Sequence, residues 1–331
     1  WNVYRDELQI TPAMCYNIEK VTSIIQRISN EASIKEKNAK ITINDGLIEL
    51  NPHINGYALD VDLCINRIEN ALVNRQWNDI ELCVVKTAPQ VTSQLVENIG
   101  YKLGGFETTF NINNEARVHN IKNACNRINQ SLLLPQQEFS MDKALGDRTE
   151  KNGYKQARVI INNEYVDGLG GGICQVTSTV YNTVLLSGLV VLERRNHTLP
   201  ASYIDVGRDA TISQGYIDLR FKNTSDYSVL IEAKTKEDKL SVVFWGIEPV
   251  EKTSFMIRTK IIQVIEAQGV EAVVDPLLKA GEIEVLRQAK PGYKVEVYRD
   301  TLDKSGKVIE TEKISVDSYL PQKMKIKTGG L

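Results

Sequence analysis

Between Tyr16 and about Asn30, apolar Ile18, Val21, Ile24, Ile25 and Ile28 recur at intervals of mostly three or four residues, the spacing that gathers them on one face of a helix. A second stripe runs from Val61 to about Asn74. Between and after them, Lys40–Ile43, Leu47–Leu50 and Ile80–Val85 are short β-rich runs bounded by turn residues, so a mixed α/β region over 1–110 is expected. Cys64 shares the second stripe with Val61 and Ile68, and Cys83 lies inside a strand run; core filling is the expected role of both. A buried Cys64–Cys83 bridge is compatible with the same pattern, and Cys15 stands in no motif.

The pattern next predicts a helix from Asn114 to Ser131, with Val118, Ile121, Cys125 and Ile128 on its apolar face. After Pro135 come short segments, the β-rich run Ala157–Ile161, and the cluster Gly168-Leu-Gly-Gly-Gly-Ile-Cys174. A helix is expected to follow, because Val176, Val180, Val184 and Leu185 keep helical spacing and Gly188 is placed to cap its end. Leu189–Leu192, Ala210–Phe221, Val229–Ala233 and Leu240–Trp245 then read as strands. This middle region, 111–250, is therefore α+β with a β-rich second half. From 251 to 331, alternating runs such as Phe255–Ile262 and Lys294–Arg299, with turns at Pro291-Gly292 and Ser305-Gly306, predict a small all-β domain. That domain carries no histidine, no cysteine and no catalytic motif, which suits binding, spacing or attachment.

Composition narrows the function. The 331 residues exceed one ordinary core, so an α+β multidomain protein is expected. Forty basic against forty-two acidic residues give a net charge of −2, without the basic footprint of a nucleic-acid binder. No apolar run reaches the roughly 18 residues of a membrane span; an export signal or membrane anchor is expected upstream of Trp1. Five scattered cysteines form neither a disulfide framework nor a CxxC pair, and the three histidines are not at ligand spacing, so no metal and no cofactor are expected.

The glycine cluster admits three readings. A strand, glycine loop and helix also open a dinucleotide fold, but Gly168-x-Gly170-x-x-Ile173 lacks the third glycine and no βαβ repeat follows. A cysteine packed in a tight turn is as compatible with the loop as a nucleophile is. The nucleophile reading draws on the helix N-terminus, where unpaired N–H groups and the macrodipole favour a thiolate, and on Gly171 and Gly172, whose N–H groups could approach a substrate oxygen. Downstream, Glu193-Arg-Arg-Asn-His197, Tyr203 and Gly207-Arg-Asp209 gather a base, an acid and cations. Cys174, His197 and Asp209 thus form a candidate triad, with Arg194, Tyr203 and Arg208 as candidate substrate contacts. The bland alternatives are a histidine at a strand end and solvated arginines.

The run Gly170-Gly-Gly-Ile-Cys-Gln-Val-Thr-Ser-Thr179, with Glu193-Arg194, His197, Tyr203 and Gly207-Arg-Asp-Ala-Thr211, resembles the VanW domain family. The resemblance extends upstream through Arg117, Asn120-Ile121, Glu138-Phe-Ser140, Gly146, Arg148-Thr149 and Gly153-Tyr154, covering roughly Asn111 to Trp245. The opening region, with Tyr57–Asp62 and Phe106–Phe110, is similar to the peptidoglycan-binding domain that often precedes VanW domains, and the C-terminal region to a divergent G-five domain. The family name derives from vancomycin-resistance gene clusters, and some clostridial members of this architecture are understood to be L,D-transpeptidases. The resemblance implies a cysteine enzyme that joins meso-diaminopimelate residues of peptidoglycan stem peptides outside the cell, at the wall or the outer face of the cytoplasmic membrane; a monomer is expected. A wall-binding protein without turnover, or a structural scaffold, are the alternatives.

Overall fold

The computed structural model describes residues 15–161 and 164–329; Trp1 lies outside the described residues. It is a mixed α and β structure, rich in strands and with few helices. The chain divides into two compact units, one running up to Ile41 and over Leu50–Glu97, the other comprising Thr42–Glu49 and the chain from Asn98 onward.

In the first unit, helix α1 (Ile18–Ala32) is capped by the Asn17 side chain, which accepts the Lys20 N–H. Two hairpin strands follow, β1 (Lys40–Asn44) and β2 (Leu47–Asn51), which straddle the division. Strand β3 (Gly56–Leu59) pairs antiparallel with β4 (Val84–Thr87), and helix α2 (Val61–Val73) lies between them in sequence. The expected strand Ile80–Val85 forms only at its end. Ile25, Cys64 and Cys83 pack together with Val21, Ile28 and Ile68 around them, as the two helical stripes require. Both thiols are free, and Cys64 Sγ accepts the Cys83 N–H at 3.1 Å.

The second unit is built on a four-stranded sheet in the order β5 (Tyr101–Thr109), β13 (Lys239–Gly246), β12 (Val229–Lys236) and β6 (Leu132–Leu133). Strand β5 ends beside the boundary expected at residue 110, yet it pairs with β13 from Tyr101 to Thr109; the division between units lies near residue 97. Helix α3 (Glu115–Ile128) packs on this sheet, and so does α5 (Ile173–Leu186). Strand β7 (Glu138–Ser140) leads into helix α4 (Met141–Leu145), and β8 (Gln156–Ile161) and β9 (Glu164–Leu169) form the hairpin that delivers the chain to the glycine cluster. Strand β10 (Val190–Glu193) pairs with β11 (Arg220–Lys222). Ile121, Cys125, Val176, Val180, Phe221 and Phe244 belong to the core between these layers, where each fully buried aliphatic side chain contributes roughly 1.5–3 kcal/mol.

Helix α5 is buried on every side from Gln175 to Leu185. Its sequence is rich in Thr and Ser, which ordinarily favour other structures. Here Thr177, Ser178, Thr179 and Thr183 return their hydroxyls to the carbonyls four residues back, so burial leaves these groups satisfied. The expected strand Ala210–Phe221 is a correction: only Arg220–Lys222 is strand, and residues 210–219 form an irregular loop. The loop's backbone bonds go to separate partners instead of one ladder: the Ala210 N–H donates to Ser178 Oγ at 2.9 Å, the Thr211 N–H to the Arg195 carbonyl at 2.8 Å and the Ser213 N–H to the Ile217 carbonyl at 2.9 Å.

The C-terminal strands lie in the same unit. Strands β14 (Ser254–Ile265), β17 (Gly292–Leu302) and β18 (Val308–Tyr319) make one antiparallel sheet; β15 (Val270–Val274), β19 (Met324–Thr328) and β16 (Ile283–Arg287) make a second, mixed one.

Candidate active site

Cys174 is the second residue of α5, whose N-cap is Gly172. Gly172 has φ +111°, a left-handed conformation open to glycine, and a Cβ there would stand 2.9 Å from Ile121 Cγ1. A Cβ on Gly171 would lie 2.6 Å from the Arg158 carbonyl oxygen. Both glycines are buried, so their smallness lets the helix start close against α3 and β8 rather than uncovering the thiol. Any contact they make with a substrate is confined to backbone. No side chain caps the helix. The Ile173 and Gln175 N–H groups donate to the Gly170 and Gly172 carbonyls at 3.1 and 3.0 Å; among the described residues, the Cys174 N–H has no such acceptor. A helix start with an unengaged N–H is positively polarised, which favours an anion beside it.

Cys174 is half-buried; its Sγ donates to the Ile212 carbonyl at 3.9 Å and lies within the electrostatic reach of the His197 ring. His197 Nδ1 lies 2.5 Å from Asp209 Oδ2, and the same oxygen accepts the His197 backbone N–H at 2.6 Å. With Nδ1 held by the acid, Nε2 is the ring nitrogen left for another partner. His197 and Asp209 are buried, 8% and 1% exposed, so this polar chain sits where an unpaired charge would be costly. Burial opposes ionisation of the thiol, but the hydrogen bond and charge of His197, aided by the Arg117 guanidinium, hold Cys174 below its usual value. Burial also disfavours an imidazolium; Asp209 and Cys174 overcome it and push His197 up to about 10. The Asp209 carboxyl, despite burial, is held below the usual range by His197 and Tyr319. All three shifts favour a thiolate–imidazolium pair backed by a carboxylate.

Tyr203 forms a wall of the site. Its ring meets that of His197 edge-on at 6.5 Å, its hydroxyl lies 3.5 Å from Ser178 Oγ, and the Arg117 guanidinium sits over it at 5.9 Å. Burial and the nearby Cys174 raise its phenol. Arg194 and Arg208 serve the protein's own groups. The Arg194 side chain is 6% exposed, paired with Asp317 at 2.6 Å and donating from Nε to the Asp209 carbonyl at 2.8 Å. Arg208 donates to Asn182 Oδ1 at 2.7 Å and stacks on Phe106, two turns along α5 from the thiol. The guanidinium whose charge acts on Cys174 is that of Arg117, which donates to Gln175 Oε1 at 2.9 Å. Arg117 carried a sequence signal, as part of the family motif, but not a role. Tyr319 had no signal at all: its hydroxyl donates to Asp209 Oδ1 from the far end of the chain.

Among the described residues no cluster of His, Cys, Asp and Glu has an arrangement that could hold a metal ion, and no helix is long and apolar enough to cross a membrane. A cavity of about 450 Å³ opens behind Arg194, between Tyr181 and Asp317, away from the thiol.

A family model described as "VanW like protein" matches residues 116–245, and one described as "Putative peptidoglycan binding domain" matches residues 2–81. The chain is 33% identical over 225 residues to the uncharacterized protein YoaR of Bacillus subtilis (strain 168), a match covering 68% of this chain and 73% of that one. It is 28% identical over 161 residues to the vancomycin B-type resistance protein VanW of Enterococcus faecalis, covering 47% of this chain and 58% of that relative. Two solved structures resemble part of it: HP0197-G5, at 26% identity, 23% of this chain, 97% of that chain and TM-score 0.14, and an IgA1 protease G5 domain, at 24%, 24%, 95% and 0.16.

Proposed function

Since this chain belongs to the VanW family, we propose that it is a cysteine-dependent L,D-transpeptidase acting on peptidoglycan in the cell wall. The observation that carries this reading is the relay Cys174–His197–Asp209 at the uncapped start of a buried helix. The match of residues 2–81 to a peptidoglycan-binding family supports the same substrate.

The Cys174 thiolate attacks the meso-diaminopimelate carbonyl of a donor tetrapeptide. A carbon–sulfur bond forms as the carbonyl electron pair moves onto oxygen, and the unengaged Cys174 N–H is available to that oxyanion. On collapse the carbon–nitrogen bond breaks, His197 gives its proton to the amine, and terminal D-alanine departs. The side-chain amine of a second stem then attacks the thioester, His197 takes the proton, and the thiolate leaves. One amide replaces another, so the exchange needs no nucleotide. Water in place of the amine makes the same site an L,D-carboxypeptidase. Arg117, beside the thiol, is the cation suited to a stem carboxylate.

Incubating purified sacculi with the protein and analysing the muropeptides tests this. New diaminopimelate–diaminopimelate dimers, or loss of terminal D-alanine, are expected, and neither with Cys174→Ala. Sacculi bound but chemically unchanged would make the protein a wall binder without turnover.

A further inference from the structure

The end of β18 reaches into the loops that carry the relay. Tyr319 is 1% exposed; its hydroxyl donates to Asp209 Oδ1 and accepts the Gly207 N–H at 2.6 Å. Asp317 holds Arg194, and Arg194 holds the Asp209 carbonyl. The Leu320 N–H donates to the Thr198 carbonyl at 2.8 Å, and Asn196 Nδ2 to the Ser318 carbonyl at 2.9 Å. Residues 317–320 are thus bonded to the segments bearing both His197 and Asp209.

The two carboxylate oxygens of Asp209 are divided between two regions. Oδ2 receives both bonds from His197; Oδ1 receives the Tyr319 hydroxyl as its hydrogen-bond donor, with Arg194 Nη2 3.5 Å away as an ion pair. The terminal torsion of an aspartate is broad and nearly two-fold, so bonds on one oxygen alone leave the carboxylate plane loosely set. A donor on the other oxygen sets it. Resting on the relay proposed above, we infer that Tyr319 is a positioning residue for the Asp209 carboxylate, which makes the C-terminal β-region a working part of the active site rather than only a binding or spacing module.

The experiment uses the full chain and two variants. Tyr319→Phe removes one hydroxyl and keeps the ring. Val297→Ala trims a buried C-terminal side chain that packs against Gly207 without touching the relay. Turnover on sacculi is measured, along with the pH midpoint of Cys174 alkylation, which needs no turnover. Tyr319→Phe is expected to lower kcat/KM by roughly tenfold, the worth of a hydrogen bond to a charged group, and to move the alkylation midpoint upward. Val297→Ala is expected to lower the melting temperature and leave that midpoint in place. A wild-type midpoint and turnover in Tyr319→Phe overturns the inference, as does an equal shift in both variants, since the junction would then be only structural. An ordinary free-cysteine midpoint for Cys174 in the unaltered protein overturns the relay itself, which separates the two failures.

Discussion

Cys125 and Cys174 stand on adjacent helices of one core and differ in nearly everything that governs a thiol. Cys125 lies deep in α3, 1% exposed, and burial pushes it up to about 12. Cys174 is half-buried and desolvated too, yet it is drawn down by the charge of His197, whose ring a buried carboxylate holds in place. The helix ends differ too: the Asn114 side chain caps α3, whereas α5 begins at a glycine that caps nothing. Burial alone makes a cysteine inert. An open helix start and a partner of opposite charge act against that effect.

The bluntest way to break this contrast is deletion of each sulfur. Cys174→Ala should abolish cross-linking, while Cys125→Ala should cost about 1 kcal/mol of stability and keep turnover; muropeptide analysis and thermal melts read the two. His197→Ala should slow the reaction on the order of 10³-fold, and Asp209→Asn by about tenfold less, because the acid acts through the base it orients. The reverse order in kcat would remove the relay logic. Arg117→Ala should raise KM roughly tenfold and leave kcat within about threefold, as expected for a lost charge-assisted contact to substrate; an effect on kcat alone would place Arg117 with the thiol and not the stem peptide.

Smaller still is the effect on stability against pH. His197 is raised from 6.5 to about 10, so its contribution is complete below about pH 6.5 and is lost as pH rises through about 10. The lowered Cys174 contributes above about 8.5, and that contribution is lost as pH falls through its folded value. A thiolate–imidazolium pair holds one proton, as do the same two groups of the unfolded chain between about 6.5 and 8.5. The melting temperature should therefore be level over that window in the unaltered protein, and should decline with rising pH in Cys174→Ala. A matching decline in both would mean that thiolate and imidazolium do not coexist.

Much of this was open to the sequence. The stripes of α1, α2 and α3, the strand Leu240–Trp245, and the thiol at the start of a helix followed from local spacing, and the family motifs marked Cys174, His197 and Asp209. Spacing works there because a helix or strand is decided by residues within a turn or two of one another. What spacing could not decide was which distant groups meet. Residues 210–219 have a strand's composition, but their backbone bonds are scattered over Ser178, Arg195 and Ile217 instead of forming a ladder. Arg194 was suited to a substrate carboxylate until Asp317, 123 residues away, took it. Tyr319 carries no motif, and only the packing of the last strands against the Gly207–Asp209 loop brings its hydroxyl to the acid, 110 residues from it in sequence. Hydrogen bonds between buried groups are chosen by what remains unpaired once the layers have closed, and that choice is made in three dimensions.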